Sequence, residues 1–111
     1  MDELNENNLL FLACIVGCSL GSYDERYLSL SEKLQIAKNK GSIAIFSSSV
    51  LQTWVPPMYI QRTLNEQIIN SKSIMTIGEL FNESISVKEF KDSYDYWFYN
   101  LLGDPCTRYI L

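Results

Sequence analysis

The first apolar patterning in the chain is Leu9-Leu10-Phe11-Leu12-Ala13-Cys14-Ile15-Val16, an unbroken run that stops at Gly17. A run of strand length without alternation predicts a parallel strand buried on both faces. Residues 17–28 then hold two glycines and several polar side chains, a loop leaving the C-terminal end of that strand. Ser29-Leu30-Ser31-Glu32 is a capping box: the Ser29 hydroxyl accepts from the Glu32 amide, and the Glu32 carboxylate accepts from the Ser29 amide. Leu30, Leu34 and Ala37 follow at i, i+4 and i+7, one face of a helix. Lys38 and Lys40 suit its negative C-terminal end, and Gly41 suits a left-handed residue beyond it. Ser42 to Ser47 predicts a second short buried strand, and strand, helix and strand in that order make a right-handed βαβ unit.

A polar loop, Ser47 to Pro57, comes next and carries Gln52 and Trp54. Pro57 is a good first helical residue, and Ile60, Leu64 and Ile68 mark an apolar helix face. Thr76-Ile77-Gly78-Glu79 is a second capping box, opening a helix with Ile77, Leu80 and Phe81 inward. Tyr94 to Leu102 is densely aromatic and shows no clear period. Gly103-Asp104-Pro105 reads as a turn and Thr107 to Leu111 as a last strand. The order β-α-β-α-α-β describes an α/β unit with a three-stranded sheet whose edges both need cover. That element set resembles half of a larger sheet.

The composition fits one α/β or α+β domain spanning residues 1–111: 47% of the residues are apolar, 20% are charged and the net charge is −4. No run of apolar residues is long enough for a membrane span. Met1 to Asn8 is acidic and polar, so no secretory signal precedes the first apolar run. Nine Lys and Arg are scattered among thirteen acids, which argues against a nucleic-acid surface. There is no histidine, so a Ser-His-Asp triad, a Cys-His dyad and a His-ligated zinc site are excluded within these residues. Three cysteines fit neither a disulfide framework nor paired C-x-x-C ligands, and no phosphate-binding glycine motif is present. Neither a metal nor a cofactor is expected.

In open α/β sheets the chemistry lies beyond the carboxyl ends of the strands. Two loops reach that edge, Gly17 to Tyr23 and Ser47 to Trp54. Cys18 in the first is a thiol just past a buried strand, with turn amides available to a developing oxyanion; the position equally suits an ordinary small loop residue. Cys14 lies inside the apolar run, where a thiol is normally a buried, inert small hydrophobe. The Trp54 indole is either a platform for the stem and cationic head of Arg or Lys, or a plug holding its loop on the core. Asp104 reads as a turn residue bonding backbone amides, Cys106 as structural, and Tyr94 to Tyr99 as core or interface.

The succession of these segments resembles the gingipain-type cysteine peptidases, peptidase family C25, whose catalytic domain has the caspase-like fold. Ala13 to Tyr23 is similar to their nucleophile segment, C-x-x-G followed by an aromatic residue. Ser31-Glu32 with Gly41-Ser42-Ile43-Ala44-Ile45 is similar to the next helix and strand. Ser49, Gln52, Trp54, Pro57-Met58, Gln61 and Asn65-Glu66 recur at gingipain-like spacings, and Thr76 to Glu79 and Leu101 to Pro105 resemble the closing motifs. Both Cys14-Ile15-Val16-Gly17 and Cys18-Ser19-Leu20-Gly21 satisfy C-x-x-G; Cys18 is favoured because Tyr23 then fills the aromatic position and the step to Glu32 keeps the family spacing.

The resemblance implies a partial caspase-like parallel-sheet sandwich, the C-terminal portion of a catalytic domain, acting on a protein or peptide substrate. It implies Cys18 as nucleophile, with Gln52, Trp54 and Met58 shaping the primary specificity pocket. The family's general base is a histidine, usually in a His-Gly pair, on the strand preceding the nucleophile strand. This chain begins too late to contain it, so an N-terminal half of the domain is the expected partner. Without that half the thiol loses a positioned acid–base group worth about 10²–10⁴ in rate, and the isolated chain is expected to be inactive. The alternative is a non-catalytic, truncated caspase-like remnant that serves as a protein-interaction module. Family members are typically secreted or surface-attached, and that is the localisation the resemblance implies.

Overall fold

The computed structural model describes residues 5, 6, 10–70 and 73–109. Its centre is the uncharged segment Ser42–Ser48, strand β2, in which every residue but Ile43 is buried. On one side it pairs in parallel with β1 (Phe11–Cys14), and on the other antiparallel with β4 (Tyr99–Gly103). Side chains alternate across a strand. Ala44 and Phe46 therefore enter a core with Ile60 and Leu64 of α2 (Val55–Asn70) and Ile77 and Leu80 of α3 (Ile77–Ile85). Phe90 of α4 (Lys88–Lys91) and Tyr99 complete it. Phe46 meets Phe81 edge-on at 4.9 Å, and Phe90 meets Tyr99 at 5.5 Å and 87°. Of opposite parity, Ser47 faces α1 (Leu30–Ile36), where its Oγ lies 2.9 Å from that of the buried Ser31. Helices thus cover both faces of the sheet.

The α/β sandwich is the expected one, and both capping boxes form at Ser29 and Thr76. Several details differ from the sequence expectation. The first strand is not buried on both faces: Phe11 is 40% exposed and Leu12 to Val16 are half-buried, because β1 is the edge of the sheet. Its expected first residue, Leu9, lies outside the described residues. Gly41 is not the left-handed residue after α1; Asn39 takes that role at φ 58°. Gly41 serves close approach instead, since a Cβ there would stand 2.1 Å from the Leu34 carbonyl oxygen. The second long helix starts two residues before Pro57, and both Pro56 and Pro57 fit its first turn because the amides they lack have no helical partner there.

The largest correction concerns the third strand. The sheet is completed by β4, from the aromatic region that showed no period, and not by Thr107 to Leu111. This strand makes the sheet mixed, with only β1 and β2 parallel. The last strand, β5 (Arg108–Tyr109), pairs instead with β3 (Met75–Thr76) in a separate two-stranded ribbon; Ile110 and Leu111 lie outside the described residues. The cause is the start of α3. Its first amides have no helical acceptor, and the Thr107 and Pro105 carbonyls accept from Ile77 and Gly78 at 2.8 and 2.9 Å. Once the turn after Gly103 docks there, the tail cannot return to the main sheet. Asp104 acts in that turn as expected, its carboxylate accepting from the Cys106 amide at 2.9 Å, and Cys106 is exposed.

Candidate functional site

Both loops expected to carry chemistry leave the same end of the β1–β2 pair. Beyond β1 the ladder continues for one more bond, from the Ile15 amide to the Phe46 carbonyl at 2.8 Å. The chain then reverses through Ser19, which has φ 55°. A left-handed non-glycine residue costs about 1–2 kcal/mol, so the bonds around the turn must hold it. They are the Ser19 amide to Val50 O at 2.9 Å, the Gly21 amide to Ser48 O at 2.9 Å, and the Ser31 amide to Leu20 O at 3.0 Å. Ser22 adds its hydroxyl to the Ser49 carbonyl at 2.7 Å. Gly21 is required by proximity, because a Cβ there would lie 2.3 Å from Ser47 Oγ.

Cys18 stands exposed at the head of this turn. Its thiol reaches the Gln52 carbonyl at 3.7 Å, joining the two loops directly. A thiol is at most a weak donor to a carbonyl, and nucleophilic attack needs a base to take its proton. Among the described residues the Cys18 amide has no hydrogen-bond acceptor, whereas the next amide is taken by Val50. Arg26 lies over the Tyr27 ring, 5.7 Å from its centroid. Cys14, the other C-x-x-G cysteine, sits within β1 and packs against the core, where burial pushes its thiol up to about 12 from an ordinary 9.0.

The second loop brings Gln52, Trp54 and Met58 to the head of α2. Trp54 is 83% exposed, so it does not plug the loop onto the core. Met58, one helical turn further on, is also exposed. The Gln52 Oε1 is buried without a donor among the described residues. The structure therefore brings Cys18 and Gln52 into contact and leaves Trp54 and Met58 open to solvent.

Two residues of the aromatic stretch read as core or interface hold this arrangement. The Asp95 carboxylate, 1% exposed, accepts from the Thr53 amide at 2.9 Å and from the Thr53 hydroxyl. The Tyr99 hydroxyl donates to the Ile15 carbonyl at 2.7 Å, fixing the end of the strand that leads to Cys18. Burial, helped by Cys14 and Asp95, holds the Tyr99 phenol above its usual range. One signal for Asp95 was present: a single acid enclosed by Tyr94, Tyr96, Trp97 and Phe98.

Two concavities lie elsewhere. One of about 580 Å³ is lined by Glu66, Asn70, Glu79 and Glu83, and one of about 410 Å³ by Phe11, Cys14, Leu64 and Tyr109. Cys18 lines neither. Among the described residues, no helix is long and apolar enough to cross a membrane, and no group of three or more metal-ligating side chains converges.

The model of peptidase family C25 matches residues 1–110, and the chain belongs to that family. The structure is similar to that of the Arg-specific cysteine proteinase gingipain R, with a TM-score of 0.73 and 26% identity over 90% of this chain. It is similar also to the complex of the RgpB pro- and mature domains of Porphyromonas gingivalis, with a TM-score of 0.74 and 25% identity over 90% of this chain. No curated protein matches. The chain spans 26% of the length of each of these two solved chains, so its caspase-like sandwich is partial.

Proposed function

We propose that residues 1–111 form one partial catalytic domain of a cysteine endopeptidase, carrying the nucleophile Cys18 and part of the pocket for a basic residue. The observation that carries this reading is the junction of the two loops, an exposed thiol on the Gln52 backbone carbonyl, together with the buried, unpaired Gln52 Oε1. An unpaired buried acceptor favours a ligand that brings donors, as the ammonium or guanidinium of Lys or Arg does. The exposed indole of Trp54 supplies a face for the stem of that side chain, with Met58 alongside. Cys18 attacks the scissile carbonyl, and its own unused amide donates to the oxyanion. The proton goes to a histidine from outside these 111 residues, which hold none; it is later delivered to the leaving amine. The setting is secreted or surface-attached.

Two measurements test this. In the protein extended upstream, Cys18→Ala abolishes cleavage after Arg or Lys, while Cys14→Ala leaves it within about twofold; the reverse pattern moves the nucleophile to Cys14. Iodoacetamide labels Cys18 faster than Cys14 and Cys106, and equal rates at all three would remove the assignment. Absence of a His-Gly pair upstream would sink the active-enzyme version.

A second reading, a non-catalytic module pairing with another chain, is favoured by the outer edge of β1, unpaired among the described residues, and by the exposure of Leu10 and Phe11. It predicts stable self-association or aggregation by light scattering. A monomer at micromolar concentration counts against it.

A further inference from the structure

We infer that Asp95 is a positioning residue, whose buried carboxylate holds Thr53 and so sets the Gln52–Trp54 segment against the Cys18 turn. The inference rests on the proposed pocket for its functional meaning, though the clamp itself stands on the geometry.

An aspartate that is 1% exposed has lost nearly all of its hydration. Among the described residues no Lys or Arg pairs with it: the two ion pairs, Arg62–Glu66 and Lys88–Asp92, lie on exposed helix faces. Both carboxylate oxygens go to one residue, Oδ1 to the Thr53 amide and Oδ2 to the Thr53 hydroxyl. A residue that only filled this volume would need no charge. A carboxylate that grips backbone and side chain of a single residue fixes that residue in place and orientation.

The grip has a direction. Thr53 lies between Gln52, whose carbonyl receives the Cys18 thiol, and the exposed Trp54. On the other flank of the same loop, the Phe98 carbonyl accepts from both the amide and the hydroxyl of Ser49, at 2.9 and 3.2 Å. The 3₁₀ segment Tyr94–Phe98 therefore holds the loop at both ends, and Ser22 ties the Cys18 loop to Ser49 between them. Asp95 is the charged member of this set and the one nearest in sequence contact to the pocket residues.

The test uses the whole chain with Trp97→Phe, so that Trp54 is the sole tryptophan. Asp95→Ala is expected to speed exchange of the Thr53 amide by at least about tenfold, as loss of a charge-assisted bond requires. It is expected to lower the fluorescence anisotropy of Trp54, while the Ile45 amide in β2 keeps its protection. Asp95→Asn, which keeps an acceptor for the Thr53 amide, restores most of both signals. If Asp95→Ala does not fold, Thr53→Val decides: it keeps the amide and loses the hydroxyl, and lowers the Trp54 anisotropy if the clamp is real. Unchanged Thr53 exchange and Trp54 anisotropy, with only a lower urea midpoint, overturn the inference and leave Asp95 a structural residue. None of these readouts involves substrate. Failure of the pocket shows separately, as an unchanged KM for Arg or Lys peptides on Trp54→Ala in the upstream-extended protein.

Discussion

Gly21→Ala places a methyl group into the tightest contact of the site. The new Cβ stands 2.3 Å from Ser47 Oγ and 3.3 Å from both Ser47 Cβ and the Ser48 carbonyl oxygen. Carbon cannot approach a hydroxyl that closely, so either Ser47 turns away or the turn lifts off β2. Three hydrogen bonds are exposed to that choice: Gly21 to Ser48 O, Ser31 to Leu20 O, and the Ser31–Ser47 hydroxyl pair. At about 0.5–1.5 kcal/mol each, the expected loss is about 2–4 kcal/mol. Urea unfolding followed by tryptophan fluorescence reads this directly; with a slope of about 1–2 kcal/mol/M, the midpoint falls by at least about 1 M. The companion substitution Ser47→Ala removes the atom at 2.3 Å and leaves only the contacts at 3.3 Å. In that background Gly21→Ala is expected to cost about half as much, even though Ser47→Ala itself leaves the buried Ser31 hydroxyl unpartnered. A cost below about 0.5 kcal/mol, or one unchanged by Ser47→Ala, would refute the close-packed turn.

Two further outcomes follow from buried groups near the site. Cys14 is protonated in the fold up to about 12 but ionises from about 9.0 once exposed, so its contribution to stability is complete below pH 9 and drains away as pH rises towards 12. Cys14→Ala flattens that alkaline decline in urea midpoints measured between pH 8 and 11 (roughly, the window set by ordinary thiol ionisation), and an unchanged slope contradicts the assignment. Tyr99→Phe removes the bond to the Ile15 carbonyl at 2.7 Å and costs about 0.5–1.5 kcal/mol. It also changes the iodoacetamide rate at Cys18; an unaltered rate means that the strand end is held by its ladder alone.

The parts of the fold written in local chemistry were legible. Ser29 and Thr76 cap their helices with Glu32 and Glu79 because a capping box needs only four neighbouring residues. The buried β2 is an uncharged β-forming run, and its burial follows. Legibility failed where a distant partner decided the outcome. Tyr99–Gly103 is a strand because β2 has a free edge for it, and no period within YNLLG announces that. Arg108–Tyr109 joins β3 because carbonyls 105 and 107 are claimed by the start of α3. At the site, Cys18 and Gln52 could be placed on neighbouring loops from the rule about strand ends. The bond between them, and the grip of Asp95 on Thr53 across forty-two positions of sequence, depend on tertiary contact alone.

The outer edge of β1 works as a ruler. Its residues lead, after an irregular step between Phe11 and Leu12, towards the turn that presents Cys18, so a strand paired parallel to it runs towards the thiol. A displacement of that strand by one residue turns every side chain to the other face of the sheet. A displacement by two restores the face but shifts each side chain by about 6.6 Å, beyond the reach of a hydrogen bond. On the proposed role of Cys18, a base carried by a strand paired there comes within reach in one register only. The reach of such a base is set in whole residues along Phe11 to Cys14.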